Sequence, residues 1–227
     1  MQLRQNILEI DNEKIVCETS LKKNNVAILH GAGTSNRKRY YALAEAILHR
    51  GVGVILFDFS GHGDSTGDLR DLSLGRRKIQ AQKVIDTFIP KEGKLYLVGF
   101  SMSGQTVCDL LPLYKGQIPA ILLGCPGVYT ESVQKISFGG SEFTTKIRSM
   151  DSWRDSAAFS KLRDFKGKTI IAIGDKDHVI PKEVITSLKQ SSKYLSYIEY
   201  PEVGHQLAVW LAAHENCQEK LLNLLLE

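Results

Sequence analysis

Apolar positions fall into two patterns along most of the chain. Short, almost continuously apolar runs recur between longer segments in which apolar residues return every three or four positions. Continuous runs are typical of buried parallel strands, and the longer spacing is typical of the helices that cover them. From residue 26 onward the two patterns alternate, which predicts an α/β fold with a mostly parallel sheet and helices on both faces. The runs lie at residues 26–29, 52–57, 95–98, 120–123, 169–173 and 195–200.

The N-terminal residues 3–20 predict a separate antiparallel hairpin. Two extended runs, at residues 3–10 and 15–19, flank an Asp-Asn-Glu sequence at residues 11–13 that is typical of a turn. Together with the six later runs, this hairpin predicts an eight-stranded sheet.

Apolar residues at helical spacing predict the helices. The clearest stripes lie within residues 40–48, 74–89, 107–114 and 207–225. The last stripe predicts a terminal amphipathic helix. Pro181 is well placed at the first position of another helix, because proline tolerates the start of a helix.

The interval from residue 127 to residue 166 breaks the alternation. Its large apolar residues lie irregularly among polar ones, and it is too long for an ordinary connection. We expect a small cap inserted into one domain that spans residues 1–227. The aromatic residues of this interval either form a small core of their own, which is slightly favoured, or line a pocket for an acyl group.

Composition changes this picture little. Of the 227 residues, 43% are hydrophobic and 24% are charged, which suits a globular domain with a substantial core. The net charge of +4 is too small to indicate nucleic-acid binding. The four cysteines lie far apart in the sequence, which indicates reduced thiols and not a disulfide framework or a zinc site. Since no signal peptide or membrane span is predicted, a cytoplasmic location is expected.

Candidate chemistry begins where one strand turns into a helix. The sequence Gly-Phe-Ser-Met-Ser at residues 99–103 follows an apolar run and precedes a helical stripe. Small residues on both sides of Ser101 permit a sharp turn that raises its hydroxyl above the sheet edge, a nucleophile elbow. Ser103 stands where this motif usually has a second glycine, and it is tolerated if its φ is not strongly positive. The alternative for Ser101 is an ordinary helix N-cap.

An acid and an imidazole each follow a later strand. Because the carboxyl ends of parallel strands meet at one edge of a sheet, we expect His205 and an acid from the segment after residue 173, Asp175 or Asp177, to lie near Ser101. A serine hydroxyl is a poor nucleophile until a base takes its proton, and a histidine is a suitable base near neutral pH. Asp175 and the more distant Asp151 compete with Asp177 for the role of the acid.

These motifs, in this order, resemble those of the α/β-hydrolase fold superfamily along nearly the whole chain. The matching segments are His30-Gly31-Ala32-Gly33, the turn from Asp58 to Ser65, Gly99 to Ser103, Gly174 to Pro181, and Gly204-His205. Within the superfamily the chain is similar to the compact serine hydrolases of the esterase, thioesterase and serine-aminopeptidase-like group. The resemblance implies a catalytic triad of Ser101, Asp177 and His205. It also implies an oxyanion hole formed by the backbone amides of Met102 and Ala32.

The expected reaction is the two-step hydrolysis of a small-molecule carboxylic ester or thioester through an acyl-serine intermediate. His205 is expected to act as base and then as acid, while Asp177 orients it. This chemistry requires no metal or cofactor. Two alternatives stay open: peptide or amide hydrolysis by the same residues, and ligand binding without catalysis.

Other polar residues near strand ends receive a structural interpretation. We expect His30 and His62 to be loop histidines bonded to the backbone, not metal ligands, and Asp58 to brace the turn at residues 61–63. The basic cluster at residues 37–39 is interpreted as a solvated helix start or, more weakly, as a contact for an anionic substrate such as an acyl-CoA.

Overall fold

Eight strands lie side by side in the computed structural model, which describes residues 2–227. They are β1 (Arg4–Ile10), β2 (Glu13–Ser20), β3 (Asn25–Leu29), β4 (Gly53–Phe57), β5 (Leu95–Phe100), β6 (Ala120–Gly124), β7 (Lys168–Gly174) and β8 (Leu195–Tyr200). Their order across the sheet is β1-β2-β4-β3-β5-β6-β7-β8. β2 pairs with β1 and β4 in antiparallel fashion, and all other neighbours are parallel. The predicted sheet and hairpin are thereby confirmed.

The hairpin closes through a tight two-residue turn. Asp11 and Asn12 have φ values of 53° and 64°. Two successive left-handed residues are typical of the turn type that matches the twist of antiparallel strands, and Asp and Asn tolerate that conformation. The turn sets the register, in which Ile10 lies opposite Glu13.

Helices cover both faces of the sheet. They are α1 (Tyr41–His49), α2 (Leu74–Phe88), α3 (Ser103–Leu110), α4 (Ser141–Arg148), α5 (Ala158–Asp164), α6 (Lys182–Ser191), α7 (Leu207–Ala212) and α8 (Glu215–Leu226). Helices α1, α7 and α8 enclose one apolar core, and α2, α3, α5 and α6 enclose the other. Within residues 2–227, no helix combines the length and apolar composition needed to cross a bilayer.

Two helical stripes are interrupted where the sequence suggested continuity. The stripe at 107–114 leaves α-helical geometry after Leu110 and continues as a 3₁₀ turn that contains Pro112. Proline lacks the amide that an α-helix would use at this point. The terminal stripe is two helices and not one, because His214 adopts a non-helical φ of −132° between α7 and α8. Its ring bonds back to the Trp210 carbonyl at 2.7 Å.

The irregular interval at 127–166 contains α4 and α5, and its aromatic residues are packed in two places. Phe138 and Phe143 contact each other with ring centres 4.7 Å apart and pack near Met102. Trp153 and Phe159 belong to the larger core beside α3 and α6. Phe138 and Phe143 thus form a small separate core, as favoured, whereas Trp153 and Phe159 join the main core of the domain, which the favoured interpretation did not include.

Candidate active site

Ser101 occupies the sharp turn between β5 and α3. Its φ of 53° is a left-handed conformation, which costs a residue with a side chain about 1–2 kcal/mol. Its amide donates to the carbonyl of Gly124 at 2.9 Å. Its carbonyl accepts the amides of Gly104 at 2.9 Å and Gly127 at 2.8 Å. Bonds to the helix and to the segment after β6 therefore hold the strained residue in place.

The space around this turn explains the small residues that flank Ser101. A Cβ on Gly99 would lie 2.6 Å from the carbonyl oxygen of Ser103 and 2.6 Å from Cγ2 of Val107, so no larger residue fits. Ser103 is fully buried, and its φ is not in the left-handed region. A serine is thus tolerated at this position of the motif, as predicted.

The side chains of Ser101, His205 and Asp177 form a continuous hydrogen-bonded chain. Nε2 of His205 lies 2.9 Å from Oγ of Ser101, and Nδ1 of His205 lies 2.9 Å from Oδ2 of Asp177. In a neutral imidazole, an Nδ1–H that donates to the carboxylate leaves Nε2 free to accept from the hydroxyl. The arrangement can therefore move the serine proton to the imidazole.

Backbone amides bind the second carboxylate oxygen of Asp177. Its Oδ1 accepts the amides of Val179 and Ile180 at 2.8 and 3.2 Å. Burial alone would raise the pKa of Asp177, but the bond from His205 and these two amides outweigh it and hold the pKa below its ordinary value. The carboxylate is thus charged at neutral pH.

Neither competing acid bonds to His205. The side chain of Asp151 pairs with Arg154 at 3.0 Å. The amide of Asp175 bonds to the carbonyl of Tyr200, and one of its carboxylate oxygens has no partner. Asp177 is therefore the acid that the structure brings to the imidazole.

The loop after β3 packs directly against Ser101. A Cβ on Gly31 would lie 3.2 Å from the Cβ of Ser101, so the loop approaches the serine as closely as a glycine permits. Ala32 follows in this loop, and Met102 follows Ser101 as the N-cap of α3, where amides lack intrahelical acceptors. The amides predicted to bind an oxyanion thus lie on the two segments that meet at the serine.

A buried arginine joins this loop to the turn at Ser101. Nη2 of Arg77 donates to the carbonyl of His30 at 2.6 Å and to Oγ of Ser103 at 2.9 Å, while Ser103 itself donates to the same carbonyl at 2.6 Å. The guanidinium lies 3.8 Å above the ring centre of Phe59. We call the three polar groups of Arg77, Ser103 and His30 the loop clamp.

Arg77 has no acidic partner among residues 2–227, although its side chain is fully buried. Its Nε and Nη1 also lack hydrogen-bond partners. Burial lowers the pKa of Arg77 to about 9, so the guanidinium remains charged at neutral pH. Sequence reasoning missed this residue. The available signal was its position four residues before Ala81, on the buried face of the predicted helix.

His30 and His62 bond to the backbone, as predicted. Nε2 of His30 accepts the amide of Phe59 at 3.1 Å, and its Nδ1 lies 2.6 Å from the carbonyl of Gly31. Nδ1 of His62 lies 2.9 Å from the carbonyl of Ser60. Burial lowers the pKa of both imidazoles, that of His30 well below its ordinary value. Both rings are therefore neutral at neutral pH.

Asp58 braces its turn, as predicted, and Arg37 is its partner. The carboxylate of Asp58 accepts the amides of Arg37 and Asp64 at 2.7 and 3.0 Å. The Arg37 guanidinium pairs with Asp58, Glu18 and Asp64 and is only 2% exposed. The expectation of a solvated basic cluster is wrong for this residue. Lys38 is exposed and pairs with Asp64 at 3.0 Å.

A cavity of about 70 Å³ opens beside Ser101. The polar part of its wall is formed by Ser35, Arg39, Tyr40, His205 and Gln206. No residue of the interval 127–166 lines this cavity.

One group of described residues has the composition of a metal site. Ligand atoms of Cys125, Asp177 and His205 lie within 4.8 Å of one another. Burial raises the pKa of the Cys125 thiol to about 12, however, and metal binding needs the thiolate. Asp177 and His205 already bond to each other. The donor set therefore fits a hydrogen-bonded acid–imidazole pair better than a metal ion.

The sequence matches a family model described as serine aminopeptidase, S33, over residues 21–150. That segment is more than half of the 227 residues and contains Ser101 and the loop after β3. The chain belongs to this hydrolase family. Membership supports a hydrolase activity, although the model ends before Asp177 and His205.

Solved structures show the same fold. An esterase from Exiguobacterium antarcticum is 19% identical with a TM-score of 0.76, over 99% of this chain and 100% of that one. The thioesterase domain from the curacin biosynthetic pathway is 17% identical with a TM-score of 0.75, over 98% and 100%. A bromoperoxidase from Bacillus anthracis is 14% identical with a TM-score of 0.75, over 99% and 100%. Among curated proteins, none matches this chain.

Proposed function

We propose that the chain is a single hydrolase domain that cleaves a carboxylic ester or thioester through an acyl-serine intermediate. One observation carries the proposal, namely the hydrogen-bonded chain from Ser101 through His205 to Asp177 at 2.9 Å per step. A serine becomes a nucleophile when a base within hydrogen-bond reach takes its proton, and a buried acid keeps that base in the required tautomer.

The remaining parts of the reaction follow from the same geometry. Ser101 attacks the carbonyl carbon while His205 takes the hydroxyl proton, and the amides of Met102 and Ala32 bind the oxyanion. An oxyanion donor of this kind contributes about 3–4 kcal/mol to transition-state stabilisation. His205 then protonates the leaving group as its bond to the carbonyl carbon breaks, which leaves the acyl group on Ser101. In the second step His205 takes a proton from a water molecule that attacks the acyl-serine, and it returns that proton to Ser101 as the carboxylic acid is released. Apart from the substrate and this water, every group in these steps belongs to the chain.

The family description suggests an aminopeptidase as a second candidate. An aminopeptidase binds a free ammonium group, for which a carboxylate near the serine is the natural partner. The wall of the cavity beside Ser101 contains the cation Arg39 and no carboxylate. The esterases and thioesterase with this fold cannot decide the reaction by themselves, because one fold serves many activities. The cavity therefore favours ester or thioester cleavage.

The decisive test compares the wild type with Ser101→Ala, using uncharged acetate and butyrate esters as substrates and a fluorophosphonate probe as label. We expect the wild type to turn over esters and to be labelled, and Ser101→Ala to lose labelling and at least about 10³-fold in kcat. His205→Asn and Asp177→Asn should also lower kcat, the second less than the first.

Matched controls keep the test specific. Ser160→Ala changes an exposed serine on α5 and should leave turnover and labelling unchanged. Turnover of amide substrates above that of esters would favour the peptidase. A folded wild type that neither turns over esters nor reacts with the probe would refute the proposed hydrolase and favour a binding protein.

A further inference from the structure

Arg39 presents a guanidinium to the cavity beside Ser101. The residue is half-buried and belongs to the 3₁₀ turn Arg37–Tyr40. Its Nη1 donates to Oε1 of Gln206 at 2.6 Å, which ties it to the residue directly after His205. A cation is therefore held in the wall of a cavity that Ser101 also lines.

The three neighbouring basic residues differ in their partners. Arg37 pairs with three carboxylates, and Lys38 pairs with Asp64. Arg39 has no carboxylate within ion-pair distance anywhere in residues 2–227, and its one side-chain partner is the neutral amide of Gln206. Two of the three cations of this turn thus pair with carboxylates, whereas the positive charge of Arg39 at the cavity has no carboxylate partner.

The position of the cavity limits what that charge can bind. The cavity is small, about 70 Å³, and Ser101 and Arg39 both line it, so a group bound by Arg39 would lie close to the carbonyl that Ser101 attacks. A carboxylate suits this position, because its two oxygens match the forked donors of a guanidinium.

We propose that Arg39 is a specificity-determining residue that binds a carboxylate of the substrate. The substrate class is then an ester or thioester that carries a carboxylate close to the reacting group. This inference rests on the proposed hydrolase and goes beyond it, because it names the chemistry of the substrate. The carboxylate sits either on the acyl part or on the alcohol part, and the experiment distinguishes the two.

The test measures kcat/KM for charged esters against neutral esters of the same shape. For the acyl part, monoethyl succinate is compared with ethyl 4-methylpentanoate, in which an isopropyl group replaces the carboxylate. For the alcohol part, 3-acetoxypropionate is compared with isopentyl acetate. We expect the wild type to prefer the charged member of one pair by at least tenfold. Arg39→Gln should reduce that preference at least tenfold, and Arg39→Lys should reduce it less.

Lys38→Gln is the matched control, because it removes a neighbouring cation that does not line the cavity. It should leave both preferences unchanged. If the wild type turns over the neutral esters and does not prefer the charged ester in either pair, the inference is overturned, while the proposed hydrolase activity is supported. A preference that survives Arg39→Gln would also overturn it. Absence of turnover and of fluorophosphonate labelling would instead refute the hydrolase itself, and this inference with it.

Discussion

Arg77 shows how a single residue connects the hydrophobic interior to the chemistry of the site. A buried cation without an acidic partner is costly, because no opposite charge replaces the water that it loses. The chain retains this cation at the loop clamp, where it holds the carbonyl two residues before Ala32. We infer that Arg77 is a positioning residue for the loop after β3, which carries the proposed oxyanion donor Ala32.

Replacing Arg77 by methionine should separate stability from activity. Loss of two hydrogen bonds is offset by removal of an unpaired buried charge, so the free energy of unfolding should change by less than about 1 kcal/mol. The loop after β3 loses a donor that fixes it, so kcat should fall about tenfold while KM changes little if Ala32 binds the oxyanion as proposed. Urea unfolding and ester kinetics measure the two effects.

Arg76→Met is the control for this prediction, since the Arg76 side chain on the same helix turns toward Glu13 instead. It should leave kcat unchanged. If Arg77→Met lowered stability and kcat in parallel, or left kcat intact, the positioning role would be wrong.

The sequence reveals the candidate reacting residues better than the residues that hold them in place. Ser101, Asp177 and His205 can be located because each follows a predicted strand, and the ends of parallel strands meet. The clamp joins residues 30, 77 and 103, which lie on three separate segments. No local pattern encodes such a contact, so only the folded structure reveals it.

Among the secondary-structure elements, the junction of β5 and α3 is the most constrained. Gly99→Ala would place a methyl group 2.6 Å from a backbone carbonyl and from Val107. We expect this change to lower the free energy of unfolding by about 2–3 kcal/mol. It should also slow fluorophosphonate labelling at least tenfold, because the strand and helix must separate and Ser101 moves with them.

Gly204→Ala tests whether crowding is the cause. A Cβ there would have its nearest contact at 3.8 Å, and Gly204 does not have a left-handed φ. Its free energy of unfolding should stay within about 0.5 kcal/mol of the wild type. An equal loss at both positions would contradict the explanation.

Periodicity predicted where the elements lie more reliably than where they end. Both interrupted stripes keep their apolar face, which is why the sequence suggested continuity. The breaks come from a proline without an amide and from a histidine ring that bonds to the preceding turn. Neither effect alters the spacing of apolar residues.

The whole molecule should lose stability in mild acid. The pKa of His30 is well below its ordinary value, so below about pH 6.5 the unfolded chain binds a proton that the folded chain does not. Its effect is therefore that the free energy of unfolding is highest above about pH 6.5 and decreases as the pH falls below that value. The slope is about 1.4 kcal/mol per pH unit for one histidine, and His62 acts in the same direction.

Urea unfolding between pH 7.5 and 5 measures this slope. His30→Gln removes one of these two neutral histidines. Whatever its effect on absolute stability, it should reduce the slope by the contribution of one proton, about 1.4 kcal/mol per pH unit. An unchanged slope would show that His30 takes up a proton without unfolding.

The break between α7 and α8 also places a tryptophan where its fluorescence can report on the cavity beside Ser101. Trp210 lies on α7, which starts directly after Gln206. Its ring stacks on that of His214 with ring centres 3.9 Å apart and also contacts Tyr200. Trp153 belongs to the core on the opposite face of the sheet. In a Trp153→Phe variant, tryptophan emission would come from Trp210 alone, one helical turn from the cavity wall. Ligand entry would then be visible as a change in fluorescence, without any substrate turnover.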